Sequence, residues 1–480
     1  MSRSLMVLGT ASHAGKSIMV TALCRIFQQD GLRVAPFKSQ NMALNSYVCR
    51  DGSEIGRAQV AQAEAAGIEP ESDMNPILLK PTSDRNMQVV LHGHVYRSMT
   101  ATEYYDQKPF FFEQALASFH RLASKFDVIV LEGAGSAVEL NLKDRDIVNL
   151  PFAKAVGARA LLVADIDRGG VFASVVGTFS LLEEDERDLV RGFVINRFRG
   201  DMSLFKDGPE LLERLTKRPC FGVLPYIHDL RIDQEDSVSL EDRSTRQGAF
   251  RIGVVRLPHM SNYTDFNSLE AIPGVALEYL TEPATPVDLL VIPGTKNTIG
   301  DLRWMVGRGF KRLVADTLER RGWVIGICGG YQMLGEEISD PSGVEDGGTL
   351  EGLRLLPVKT ELGRDKVTVQ SEGRSFLGMS VTGYEIHMGR TELLTFLDPF
   401  IKKSDGTSDG VLSGRVAGTY FHGVFDNPDF TTGFLSLVAK DRQLSWRPGK
   451  SSHSKQAEYD RLAATVREHL DIRRIHELIQ

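Results

Sequence analysis

The chain has 480 residues, 42% hydrophobic and 25% charged, an ordinary globular composition long enough for two or three domains. A formal charge of −7 gives no basis for a nucleic-acid partner, and no uninterrupted apolar stretch reaches the roughly 18–20 residues of a membrane-spanning helix. The four cysteines, Cys24, Cys49, Cys220 and Cys328, form no CxxC pair, which argues against a zinc site or disulfide framework and for a reduced, cytoplasmic setting.

A short apolar run, Leu5 to Leu8, leads into Gly9-Thr10-Ala11-Ser12-His13-Ala14-Gly15-Lys16-Ser17, and Ile18 to Gln28 reads as the helix that follows. A cleaved leader would remove this loop, so none is expected. Val34 to Phe37, Val128 to Leu131, Ala160 to Ala164 and Gly192 to Ile195 are further apolar runs. Short apolar strands alternating with helices imply a mostly parallel, doubly wound α/β sheet. Chemistry is then expected at the carboxyl ends of the strands. Polar clusters fall there: Glu132-Gly133-Ala134-Gly135, Asp165-Ile166-Asp167-Arg168-Gly169-Gly170, and Asn196.

A loop that wraps phosphates needs glycines for close backbone approach, a lysine to offset charge and a hydroxyl to help hold Mg²⁺. Gly15, Lys16 and Ser17 match the end of that pattern. Its first glycine is Gly9, one place early, so Thr10 stands at the usual position. This longer form resembles the dethiobiotin synthetase group of P-loop enzymes. The expected ATP-binding set is Thr10, Gly15, Lys16, Ser17 and Asn196, with Mg²⁺ on Ser17, Glu132 and Asp165, or Asp167 in place of Asp165. Asn196 either reads adenine with its amide or is a turn residue.

Composition turns polar and charged near residue 233, which predicts a first domain over 1–235 and a linker over 236–250. Strands resume at Arg251 to Val255, Asp288 to Ile292 and Trp323 to Ile327, a second α/β domain expected over 251–448. Pro448 to Ser452 reads as a loop, and 449–480 as a C-terminal helical tail with helical apolar spacing from about Lys455.

Within the second domain, Gly326-Ile327-Cys328-Gly329-Gly330 places a thiol at a sharp strand-to-helix turn. Flanking glycines permit the turn and expose the sulfur. A helix N-terminus and a nearby histidine activate such a thiol, and Tyr420-Phe421-His422-Gly423 supplies the candidate base. The backbone N–H of Gly329 and a second donor from the loop at Gly294 form the expected oxyanion hole.

These stretches, with Phe37-Lys38-Ser39-Gln40-Asn41-Met42, Glu54-Ile55-Gly56-Arg57-Ala58-Gln59, Asn75 to Pro81, Pro293 to Lys296 and Gly383-Tyr384-Glu385-Ile386-His387, together resemble the cobyric acid synthase family over nearly the whole chain. The resemblance implies a dethiobiotin synthetase-like P-loop domain and a class I, triad-type glutaminase domain. It implies ATP- and glutamine-dependent amidation of the b, d, e and g carboxylates of adenosylcobyrinic acid a,c-diamide. Cys328 is then the nucleophile and His422 its base, with ammonia passing along a sheltered path to an acyl phosphate. The implied partners are small molecules (corrinoid, glutamine, ATP), with no nucleic acid or membrane; a homo-oligomer is left open. Triad glutaminases usually carry a glutamate two places after the histidine, where this chain has Val424. A Cys–His dyad is therefore expected, with Glu385 as the candidate third member, or else a structural or substrate-side carboxylate. Two readings stand beside this one: a same-fold amidotransferase for the a,c positions or a cell-wall precursor, and a non-enzymatic P-loop switch.

Overall fold

The computed structural model describes residues 3–82, 86–233, 248–283, 285–345, 347–449 and 454–479. Most of the expected linker, and Lys450 to Ser452 of the expected loop, lie outside the described residues.

The first domain is built on a six-stranded sheet in the order Cys220–Pro225, Val190–Phe198, Arg159–Asp165, Arg3–Gly9, Val128–Glu132, Val34–Phe37. Every neighbouring pair is parallel. The central strands are covered on both faces, which is why they read as continuous apolar runs rather than alternating ones. Leu5 to Leu8 and Val128 to Leu131 are fully buried. Because Arg3–Gly9 lies between Val128–Glu132 and Arg159–Asp165, the loop after it opens beside Glu132 and Asp165. A smaller sheet and the hairpin Ser46–Val48/Glu54–Gly56 are inserted after Val34–Phe37.

The second domain has its own six-stranded sheet, in the order Val275–Leu280, Phe250–Val255, Leu289–Ile292, Trp323–Ile327, Val416–Thr419, Val411–Ser413. It is parallel except for its last pair. A long antiparallel hairpin, Val358–Ser375 and Ser380–Leu393, stands beside it and pairs with Phe421–His422.

The expected C-terminal tail is not a tail. Helix Lys455–His469 returns to the first domain and buries Tyr459, Leu462, Ala463 and Val466 in one apolar cluster with Leu23, Ile26 and Phe27 of helix Lys16–Gln29. Tyr459 also donates to Glu64 at 2.6 Å, and Arg25 pairs with Asp460 at 2.8 Å. Periodicity identifies the helix and its apolar stripe, but the surface that covers the stripe lies more than 400 residues earlier (Arg25 and Asp460 are 435 apart). Among the described residues, no helix is long and apolar enough to cross a membrane.

Candidate active sites of the two domains

At the first site, Gly15 adopts φ 103°, a left-handed conformation at the start of helix Lys16–Gln29. A side chain there would collide with the Asn196 amide, since a Cβ would sit 2.0 Å from its Nδ2. Asn196 Nδ2 donates to Ala14 O at 2.9 Å and its Oδ1 accepts from Arg197 N at 2.9 Å. The amide thus braces the loop with one N–H and one lone pair; its second N–H and second lone pair are those the adenine-reading role would use. Thr10 N donates to Val163 O at 3.0 Å, tying the start of the loop to the sheet. Lys16 is buried along the loop, its Nζ donating to Ala11 O at 3.0 Å and to Gly135 O at 2.8 Å.

Ser17 donates to Glu132 Oε1 at 2.8 Å. Glu132 is buried, yet its carboxyl is held below the usual carboxylate range. Burial alone would raise it; the Lys38 charge at 3.0 Å and hydrogen bonds from Gln62, Lys38 and Ser17 outweigh burial. The adjacent hydroxyl and ionised carboxylate are an oxygen donor set suited to Mg²⁺, which characteristically binds few protein ligands together with phosphate and water. Asp165 accepts from Arg197 at 2.9 Å through Oδ2 and from Asp167 N at 2.8 Å through Oδ1, one bond on each oxygen. Ser17, Glu132 and Asp165 therefore all stand at the carboxyl end of the sheet as the expected oxygen donors. Among the described residues, no three His, Cys, Asp or Glu side chains cluster to hold a metal by themselves.

At the second site, Cys328 has φ 53° and ψ −110°, a strained backbone for a non-glycine residue, at the turn between strand Trp323–Ile327 and helix Gly329–Met333. The turn is packed so closely that a Cβ on Gly330 would lie 1.9 Å from Ile292 O. A Cβ on Gly294 would lie 3.1 Å from His422 Cε1 and 3.6 Å from Cys328 Cβ. Gly329, Gly294, Cys328 and His422 therefore converge.

His422 is fully buried, and its Nδ1 lies 2.7 Å from Asp265 Oδ2. The same carboxylate accepts from Gly423 N at 3.0 Å through Oδ1. Burial works against a charged imidazole, but the Asp265 charge and hydrogen bond, with a smaller contribution from Cys328, raise its pKa from 6.5 to about 10. The Cys328 thiol contacts Ile386 O at 3.5 Å, and Nε2 has no partner of hydrogen-bond geometry. The thiol and imidazole are thus neighbours whose bond is not closed, as is common before substrate arrives.

Asp265 corrects both the expected dyad and the candidacy of Glu385. In the antiparallel pairing, Tyr384 lies opposite His422 and Glu385 opposite Phe421. Directly opposed residues share a face and successive residues alternate, so Glu385 points away from His422. It accepts from Ser371 at 2.6 Å and Lys403 at 3.0 Å. Burial would raise its pKa, but His387, Ser371 and Lys403 hold it down at about 2. Asp265 was missed because it lies far from His422 in sequence. The available signal was the polar run Ser261 to Asp265, which follows the carboxyl end of strand Phe250–Val255.

Residues 5–239 match the family model described as a CobQ/CobB/MinD/ParA nucleotide binding domain, and residues 251–430 match that of a CobB/CobQ-like glutamine amidotransferase domain. The first domain is therefore a nucleotide-binding domain. The chain is 47% identical to a cobyric acid synthase of Caldanaerobacter subterraneus subsp. tengcongensis, covering 100% of this chain and 99% of that protein. It is 48% identical to one from Photorhabdus laumondii (100% and 98% covered) and 47% identical to one from Salmonella choleraesuis (100% and 99%).

Proposed function

The chain belongs to the cobyric acid synthase family, and from that premise we propose that it amidates the b, d, e and g carboxylates of adenosylcobyrinic acid a,c-diamide with ATP and glutamine. The observation that carries the reading is the presence, in one chain similar to those enzymes along nearly all of their length, of the Cys328–His422–Asp265 set and the Lys16–Ser17–Glu132 set. A switch protein has no use for the first of these.

In the second domain, the Cys328 sulfur attacks the side-chain amide carbon of glutamine. His422 holds the thiol proton as the imidazolium that Asp265 stabilises through Nδ1, which leaves Cys328 as the thiolate, and it gives that proton to the leaving nitrogen. The N–H groups of Gly329 and the Gly294 loop receive the charge that develops on oxygen. Ammonia leaves, and water cleaves the thioester to release glutamate and restore the thiol.

In the first domain, a corrinoid carboxylate oxygen attacks the γ-phosphorus of ATP, giving an acyl phosphate and ADP. Ammonia then displaces phosphate and leaves the amide. A carboxylate is a poor acyl donor until its oxygen belongs to a good leaving group, which is why ATP is needed. Lys16 offsets phosphate charge, and Ser17, Glu132 and Asp165 are the residues that would hold Mg²⁺, which would supply further charge neutralisation on the phosphates. Its use of ATP and glutamine supports a cytoplasmic location for the enzyme.

Purified protein with ATP, Mg²⁺ and glutamine should convert the diamide stepwise to cobyric acid, each step replacing a hydroxyl by an amino group in the mass spectrum. Turnover of unamidated cobyrinic acid or a lipid-linked muropeptide, with no mass change on the diamide, would reassign the substrate within the same fold.

A further inference from the structure

Asp265 lies in a four-residue helical turn, Tyr263–Phe266, entered through Asn262 in a left-handed conformation (φ 52°, ψ 40°). The two residues that open this turn are held from the other domain. Ser46 N donates to Asn262 Oδ1 at 2.9 Å, and Tyr263 N donates to Asn45 Oδ1 at 3.1 Å. Asp265 N in turn donates to Asn262 O at 3.1 Å, so the backbone carrying the acid follows Asn262. Ser46 O accepts from the Tyr384 hydroxyl at 3.2 Å, and the Tyr384 ring is stacked on His422 at 5.3 Å between centroids. Two adjacent residues of the first domain thus brace both the acid and the ring it orients. All five side chains involved (Asn45, Ser46, Asn262, Asp265 and Tyr384) are buried, where a lost partner is costly.

The same two residues are tied to the ATP side. Lys80 Nζ donates to Ser46 Oγ at 2.8 Å and pairs with Glu54 at 2.6 Å. Asn45 O accepts from Arg57 N at 3.2 Å, at the start of helix Arg57–Ala65. That helix carries Gln62, which donates to Glu132 at 2.5 Å, and Glu132 in turn accepts from Ser17 of the phosphate loop.

We propose that Asn45 and Ser46 are positioning residues for the glutaminase centre: they hold the Asp265 turn and the Tyr384–His422 stack, so that glutamine hydrolysis requires the first domain to be docked in this arrangement. The inference rests on the amidotransferase function proposed above. Its consequence is that ammonia release is tied to the state of the domain that consumes ammonia.

The test uses the full-length enzyme with the corrinoid diamide, ATP and either glutamine or a high concentration of ammonium. Asn45→Ala removes the acceptor for Tyr263 N, Asn262→Ala removes the reciprocal acceptor for Ser46 N, and Tyr384→Phe removes only the hydroxyl while keeping the ring. Glutamine-dependent amidation should fall about 10- to 100-fold in Asn45→Ala and Asn262→Ala, the scale of a roughly 1 Å misplacement of catalytic groups. Tyr384→Phe should fall less. The loss should appear in kcat for glutamine hydrolysis rather than in KM for glutamine, and ammonia-dependent amidation should stay within about twofold of wild type, which also reports correct folding of the ATP side. Glutamine-dependent rates near wild type in all three variants would overturn the proposal. So would equal loss with both nitrogen sources in all three, because the contacts would then serve the fold or the ligase reaction. An unsubstituted enzyme that amidates with neither source would instead reject the proposed function itself.

Discussion

The imidazole of His422 and the carboxylate of Asp265 meet at 2.7 Å although 157 positions separate them, one at the end of a sheet strand and the other in a helical turn. Asp265→Asn keeps the shape of that contact but allows the ring the wrong tautomer. Glutamate release should fall at least about 100-fold, while ammonia-dependent amidation is spared. Glu385→Gln should leave glutamate release within about twofold of wild type, since Glu385 faces Ser371 and Lys403 and not the ring. The reverse ranking would return Glu385 to the catalytic set.

The two half-reactions should separate by mutation. Cys328→Ser is expected to abolish glutamine-dependent amidation and keep activity with high ammonium. Lys16→Ala is expected to abolish amidation with either nitrogen source while glutamine hydrolysis persists, reduced or uncoupled. A well-folded Cys328→Ser protein that is dead with ammonium, or a Lys16→Ala protein fully active with it, would contradict this division of labour.

The His422–Asp265 pair should also leave a signature in stability against pH. Folding raises the His422 pKa from 6.5 to about 10, so its stabilising contribution is present in full below about 6.5 and is lost as pH rises through about 10. The stability advantage of wild type over Asp265→Asn, read by denaturant unfolding, should therefore shrink steadily across that window. An advantage that is constant or grows with pH would mean the imidazole is not held charged.

The C-terminal helix should behave as core of the first domain. Leu462 is fully buried against that domain, so Leu462→Ala should cost about 2–5 kcal/mol of its stability. Thermal unfolding should show the loss, and ATP-dependent activity should fall at a lower temperature than glutamine hydrolysis. A change no larger than that of an exposed substitution would restore the reading of these residues as a tail.

Much of this protein was legible in its sequence because the relevant signals are local. Strand-loop-helix order around Gly15-Lys16-Ser17, and the glycines around Cys328, are set by neighbours a few residues away, and backbone geometry at such turns depends on exactly those neighbours. Strands covered on both faces announce themselves as apolar runs, so both parallel sheets could be placed. Tertiary structure decided what depends on pairing across long sequence distances. Strand register alone turned Glu385 away from His422, and a turn near the start of the second domain supplied Asp265. That Asn196 braces the phosphate loop through Ala14 O was equally out of reach, since 182 positions separate the two. The final helices had an apolar stripe but no stated partner until Leu23, Ile26 and Phe27 were found beneath it. A side chain's type limits what it can bond, but only the fold brings a partner within about 3 Å of it.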